Sequence, residues 1–440
     1  MEQRTFILGA GVTGLAAGYA SGWPMYEAAA VPGGICSSYY VRPGTTQRLA
    51  VAPDDGEAYR FEVGGGHWVF GGDPVVLRFI RQMTPVKTYH RHSAVYFAKD
   101  ARIIPFPLQY HLAHLDDTTA TQALHEITTL AHNAEPPTAM DAWLAARFGP
   151  TLTTQFFGPF HERYTAGLWT EIAPQDPYKS PVDVQLVQQG RTGKTTAAGY
   201  NTRYLYPEAG LDALARQIAQ HSTVHYGKRA VHIDPIEKIV SFEDGTEQRY
   251  ETLISTLPLN KMIAMAGLKT GVPDPYTSVL VLNIGAVRGA ACPDHHWLYV
   301  PDSASGFFRV GCYSNVESSF LPRSARAPAS RVSLYIERAF PGGQRPSEDE
   351  VQAYAVDVVR ELQAWDFIAE AEVVDPTWIE VAYTWARPGS TWRKQALATL
   401  DAHDIVMVGR YARWIFQGIA DSIRDGFIVG AAFKRREKNG

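Results

Sequence analysis

The first apolar run opens the chain. Thr5-Phe-Ile-Leu8 is followed at once by Gly9-x-Gly11-x-x-Gly14, and then by Leu15, Ala16, Ala17 and Gly18, small residues that suit a helix. This order predicts strand, tight turn and helix. Alternating or continuous apolar positions predict strands over 278–284, 296–300 and 331–336. Residues 230–251 alternate around Glu243-Asp244-Gly245-Thr246 and predict a β-meander, which carries Val231. Apolar residues at helical spacing predict helices over 118–132, 138–148 and 211–220. An amphipathic helix is expected over 347–364, capped by Ser347 with Glu348 and Glu350 in its first turn. Near the C-terminus, Asp404-Ile-Val-Met-Val runs as a buried strand into Gly409-Arg410-Tyr411. A further helix follows from Ala420 towards Lys434, with Asp421 or Ser422 as its cap.

Composition narrows the class without naming it. At about 150 residues per domain, 440 residues predict roughly two to three domains. The net charge is −4, from 41 basic and 45 acidic residues, which gives no global attraction to nucleic acid or to an anionic membrane. Cys36, Cys292 and Cys312 are too few and too scattered for a disulfide framework or a zinc site, so no metal is expected. No apolar run reaches the ~18 residues of a bilayer span, and the glycine-broken start is no signal peptide. The expectation is a soluble cytoplasmic protein with neither a membrane nor a nucleic-acid partner. The basic tail, Lys434 to Gly440, reads as a solvated helix end.

The glycines carry the first chemistry. Gly9 permits the turn, Gly11 lets backbone approach a pyrophosphate, and Gly14 lets the helix pack on the strand. Glu27 stands eighteen residues after Gly9, at the end of the next short segment, where a carboxylate accepts ribose hydroxyls. Gly33-Gly34 follows a few residues later. Phe61-Glu-Val-Gly-Gly65-Gly66-His67-Trp-Val-Phe70 then brings backbone close to something flat or charged. Together with residues 250–259 and the Gly409–Ser422 segment, these resemble FAD proteins of the glutathione-reductase-like superfamily, in particular its amine-oxidase branch.

That resemblance implies an α/β fold. A Rossmann-like FAD-binding domain would comprise residues 1–70, 205–270 and 395–440. It would interleave with a mainly helical domain, 71–204, and a mixed-sheet substrate domain, 271–394. The resemblance also assigns Gly9, Gly11, Gly14, Glu27, Gly33, Gly34, Gly65, Gly66, Val231, Gly409, Arg410, Asp421 and Ser422 to the cofactor. It places the helix after Asp421 with its N-terminus towards the flavin pyrimidine ring, where reduced flavin carries negative charge.

Within that superfamily the chain resembles the UDP-galactopyranose mutases. The residues that carry this are Gly65-Gly66-His67, Arg102-Ile-Ile-Pro-Phe-Pro-Leu-Gln109, and Trp297-Leu-Tyr-Val-Pro-Asp302 followed by Phe307-Phe-Arg309-Val-Gly-Cys-Tyr313-Ser-Asn315. In that family the reduced flavin attacks the sugar's anomeric carbon through N5 and displaces a nucleoside diphosphate. The ring then recloses at the other size with no net redox change. The resemblance therefore implies FAD, reduced in its active form with NADH or NADPH as candidate reductant, and a nucleotide-sugar substrate. His67 and Arg309 take the catalytic positions. Arg309, Tyr313, Asn315, Arg387 and Tyr411 are assigned to substrate. Tyr313 and Asn315 are read as alternating on one strand. Arg191, Lys194 and Arg203 form a basic stretch that suits either a second phosphate contact or a charged loop.

The chain also departs from the pattern. Arg387-Pro388 stands where the family has an aromatic-Pro pair, and Gly418-Ile-Ala-Asp421-Ser422 replaces its Asn-Gln-Asp-His-Ser. Two other readings remain: an oxidase or desaturase of the amine-oxidase or protoporphyrinogen-oxidase type, and a flavin-bound partner subunit without chemistry.

Overall fold

The computed structural model describes residues 5–130, 137–175, 182–194, 202–327 and 330–439, with side chains through residue 433. Thr5–Leu8 forms a fully buried strand. Gly9 turns the chain at φ +91°, and helix Val12–Ser21 follows. A side chain on Gly14 would collide with the Gly9 carbonyl, so the helix lies on the turn only through glycine. The strand sits at the centre of a parallel sheet ordered Val224–His225, Met25–Tyr26, Thr5–Leu8, Thr252–Ser255 and Ile405–Met407. Three widely separated parts of the chain thus build one layer. The C-terminal helix, Ile419–Asn439, crosses Val12–Ser21 so closely that side chains at Gly426 or Gly430 would strike the backbone at Thr13 and Ala17. The meander Ala230–Asp234, Ile239–Phe242 and Glu247–Arg249 lies beside this sheet, and its Val240 and Phe242 pack with Phe6 and Leu8.

A seven-stranded mixed sheet forms the opposite wall. Its order is Ile368–Thr384, Tyr276–Arg288, Arg331–Pro341, Arg309–Cys312, Trp297–Tyr299, Ser93–Phe97 and Arg102–Pro105. All its pairs are antiparallel except Trp297–Tyr299 with Ser93–Phe97. The long strand Ile368–Thr384 lacks a clean alternation and was not singled out from sequence; nine of its residues are only half-buried. The stretch 86–105, expected to be mainly helical, supplies three strands, two of them to this sheet. Val86–His90 pairs with Arg203–Pro207 and Ser93–Phe97 with Trp297–Tyr299, distant chain that a local pattern does not encode, while Arg102–Pro105 pairs with the adjacent Ser93–Phe97. Helix Glu348–Ala364 carries the expected Ser347 cap, and Glu350 reaches back to complete a capping box. Helices Asp117–Thr129 and Met140–Leu152 form the third region, and the end of the first expected helix, 131–132, lies outside the described residues.

Two local expectations are corrected. Tyr313 and Asn315 lie on a short helix, Tyr313–Val316, because the strand ends at Cys312. Asp421 and Ser422 do not cap the last helix. It starts at Ile419, and the Ser422 N–H already donates to the Gly418 carbonyl at 3.0 Å, so both residues sit inside the first turn.

Candidate functional site

A cavity of about 600 Å³ lies between the parallel sheet and the seven-stranded sheet. One end is built from the glycine turns. Gly11 and Gly33 form a parallel bridge, and the space beside the Gly11 Cα is open, with only the Gly33 carbonyl near where a side chain would start. Glu27 reaches this end. Its carboxylate accepts the Ala10 N–H at 2.7 Å and the Ala29 N–H at 2.8 Å. Each oxygen keeps a lone pair for ribose hydroxyls. This cradle of bare backbone with a fixed carboxylate fits the dinucleotide half of FAD.

The middle of the cavity is walled by the Gly64–Trp68 return and by the strands that carry Arg309 and Glu337. Burial, then the nearby Arg410 and Arg309 charges, press the His67 imidazole down to about 4. At neutral pH it is an uncharged hydrogen-bonding ring. Arg309 and Glu337 are directly opposite on the sheet ladder, with Nη1 and Oε2 3.2 Å apart. The Arg309 guanidinium also lies 5.7 Å from the Tyr299 ring centre and 5.3 Å from that of Phe308. Burial raises the Glu337 carboxyl and the arginine pulls it back down, while Arg309 is held well above its ordinary value. Arg309 stays a cation, and among the described residues its Nε has no hydrogen-bond partner. Arg410 donates to the Gln417 carbonyl at 3.1 Å and the Ala382 carbonyl at 3.2 Å, and its guanidinium packs on Phe416 at 4.4 Å.

The cavity wall includes Gly9, Gly11, Glu27, Gly33 and Gly34 from the expected cofactor set, and Gly66, Arg410, Asp421 and Ser422 as well. It also includes His67, Arg309 and Tyr411. Gly14, Gly65 and Gly409 stand behind it as close-packing positions. Side chains there would press on Gly9, Glu337 and Thr13 respectively. Val231 is 47% exposed on the meander and away from the cavity, so it is no cofactor contact here. Tyr313 is buried in the core, stacked on Phe320 at 4.7 Å, with its hydroxyl 3.1 Å from Asn283 Oδ1. Asn315 ties down a loop, donating to the Pro293 and His295 carbonyls at 2.8 Å. Arg387 faces outward and donates to the Pro273 carbonyl at 3.1 Å. These three lie off the cavity wall, because the strand bearing Arg309 ends before Tyr313 and the Arg387 turn folds onto 273–274. Arg191 pairs with Asp117, and neither it nor Lys194 nor Arg203 reaches the cavity. Residues 195–201 between them lie outside the described set.

Several wall residues were not singled out from sequence: Glu337, Tyr335, Arg91, His161, Tyr164 and Tyr383. Glu337 and Tyr335 had a readable signal, since they alternate on a strong strand and so share a face. His161 and Tyr164 come from helix Gly158–Tyr164, which no pattern marked.

The fold is shared with several solved enzyme structures. The fold matches a reduced UDP-galactopyranose mutase with a TM-score of 0.82 at 20% identity, covering 98% of this chain and 95% of that one. A protein assigned as a protoporphyrinogen oxidase from Exiguobacterium sp. 255-15 follows at TM-score 0.70 and 13% identity, covering 99% of both chains. A putrescine oxidase bound to putrescine matches at 0.57 and 14%, again over 99% of both. No family model matches the sequence, and no curated protein sequence does. Among the described residues, no helix is long and apolar enough to cross a membrane, and no cluster of His, Cys, Asp or Glu could hold a metal ion.

Proposed function

We propose that this chain is an FAD enzyme that interconverts ring forms of a nucleotide sugar, in the manner of UDP-galactopyranose mutase. The observation that carries the reading is Arg309. It is a buried, permanently charged guanidinium in the cavity wall, close to the His67 return that flanks the glycine cradle. Reduced FAD, when bound, supplies the nucleophile towards the sugar's anomeric carbon, so the protein needs no nucleophilic side chain of its own. Glu27 and the Gly9–Gly34 cradle would hold the dinucleotide. Arg309 offers bidentate donors to a leaving diphosphate, and Glu337 faces it as a counter-charge 3.2 Å away. Neutral His67 donates or accepts a hydrogen bond without adding charge.

A second reading, oxidation of a substrate by the flavin, is favoured by the number of aromatic rings in the wall and by the carboxylate already paired with Arg309. The two readings differ in what Arg309 does. Because Arg309→Met alone would strand Glu337, the double variant R309M/E337Q is the test. Its UDP affinity by calorimetry should fall at least about tenfold, the loss expected for a charge-assisted pair, while FAD content is retained. Unchanged UDP affinity would remove Arg309 from the substrate site.

A further inference from the structure

Two cysteines far apart in sequence stand together on the far face of the cavity's sheet. Cys312 ends the strand Arg309–Cys312, and Cys292 lies in the loop that leads into Trp297–Tyr299. Trp297, Tyr299 and Arg309 line the cavity, whereas Leu298, Val310 and Cys312 alternate to the opposite face and pack in a separate apolar cluster with Cys292. The two thiols lie within hydrogen-bonding range of each other, and both border one small internal space beside Leu298 and Val310. The chain around them is pinned. The Cys312 N–H donates to the His296 carbonyl at 2.8 Å. Asn315 holds the Pro293 and His295 carbonyls, and Arg288 donates to the Cys292 carbonyl at 2.9 Å. Both sulfurs are thus carried on backbone that is tied together, as a bond between them requires.

The three thiols of the chain differ in reactivity. Burial, then the Glu62 charge, pushes the Cys36 thiol up to about 12, so it stays protonated. Burial raises Cys312 as well, but the Cys292 thiol, the Ser314 hydroxyl 3.7 Å away and the Asn315 N–H donate to its sulfur and bring it below its ordinary value. Thiolate character at one sulfur, with a second thiol beside it, is the arrangement in which oxidation ends in a disulfide. Cys292 is only half-buried, which leaves the pair open to a small oxidant.

We propose that Cys292 and Cys312 form a redox-modification site, which hydrogen peroxide converts to an intramolecular disulfide. One sulfur attacks a peroxide oxygen, the O–O bond breaks, and a sulfenic acid and one water form. The second sulfur attacks the sulfenic sulfur, the S–O bond breaks, and a second water leaves. The two thiols give up two electrons and two protons, and one peroxide becomes two waters. A thiol reductant reverses the change. The bond ties the strand that carries Arg309 to the loop entering its neighbour Trp297–Tyr299, from the face turned away from the cavity. It holds whichever ligand the cavity takes.

The test uses the oxidised FAD-loaded protein, so that reduced flavin and oxygen supply no further peroxide. Free thiols are counted after denaturation, and tryptic peptides are mapped without reduction. Exposure to hydrogen peroxide should lower the count from three to one, with Cys36 the survivor. Peptides 289–309 and 310–323 should appear joined, with no linked dimer on a non-reducing gel, and dithiothreitol should restore all three thiols. Cys292→Ser and Cys312→Ser should each keep two thiols through the same exposure, because the remaining sulfur then has no partner. Three surviving thiols in the wild type, a link that includes Cys36 or a second molecule, oxidation that dithiothreitol does not reverse, or thiol loss as fast in the single variants as in the wild type would each overturn the inference.

Discussion

Glu62 shows how a residue outside the cavity wall shapes the wall in front of it. It is fully buried two residues before the Gly64–Gly66 return, and it accepts from Ser38 Oγ and the Tyr206 hydroxyl. Burial raises its carboxyl from 4.5 to about 7, against the pull of Arg60 and those hydrogen bonds. Between those values the folded protein holds a proton that the unfolded chain has lost. Stability is therefore full below about pH 4.5 and falls as pH rises through 7. At about 1.4 kcal/mol per pH unit the loss approaches ~3 kcal/mol. Urea titrations at pH 5 and pH 8 should show it, and Glu62→Gln should abolish the slope. A wild-type protein as stable at pH 8 as at pH 5 would contradict the assignment. The same scale shows what sequence conveys about chemistry. Gly9, Glu27, His67 and Arg309 were legible because turn, spacing and family motif each mark them. For Glu337 only its face was legible, by alternation with Tyr335; its pairing with Arg309 was not, since that comes from standing opposite it across a strand ladder.

At the scale of elements, the contact between Val12–Ser21 and Ile419–Asn439 locks the two ends of the chain around the cradle. The crossing depends on Gly426 and Gly430 lying against backbone, where no side-chain rearrangement makes room. Gly426→Val should cost about 3 kcal/mol, the upper range for overpacking, and should lower FAD retention because Thr13 and Gly409 also meet at this crossing. Denaturation with and without FAD measures both effects. A fully stable G426V would mean that the helices separate easily. Helices were readable from their period and caps, as the Ser347–Glu350 box shows. The strands Val86–His90 and Ser93–Phe97 were not, because they pair with distant chain at 203–207 and 297–299. The strand-to-helix change at Cys312–Tyr313 was also hidden, and it took Tyr313 into the core.

For the whole molecule, one cavity is bounded by chain drawn from both ends and the middle, so the cradle, His67, Arg309 and the ring-lined end face one space. That arrangement explains how a chain with net charge −4 could still receive an anionic ligand: charge matters locally, at Arg309 and its neighbours, rather than overall. Under the proposed function, redox state is the decisive variable. The direct test is to load the protein with FAD, reduce it anaerobically with dithionite, and offer UDP-galactopyranose and related nucleotide sugars while following ring form by chromatography. The account predicts ring interconversion by the reduced protein, none by the oxidised protein, and no consumption of reductant per turnover. Inert reduced protein, together with stoichiometric hydrogen peroxide from the oxidised form acting on a substrate, would contradict it.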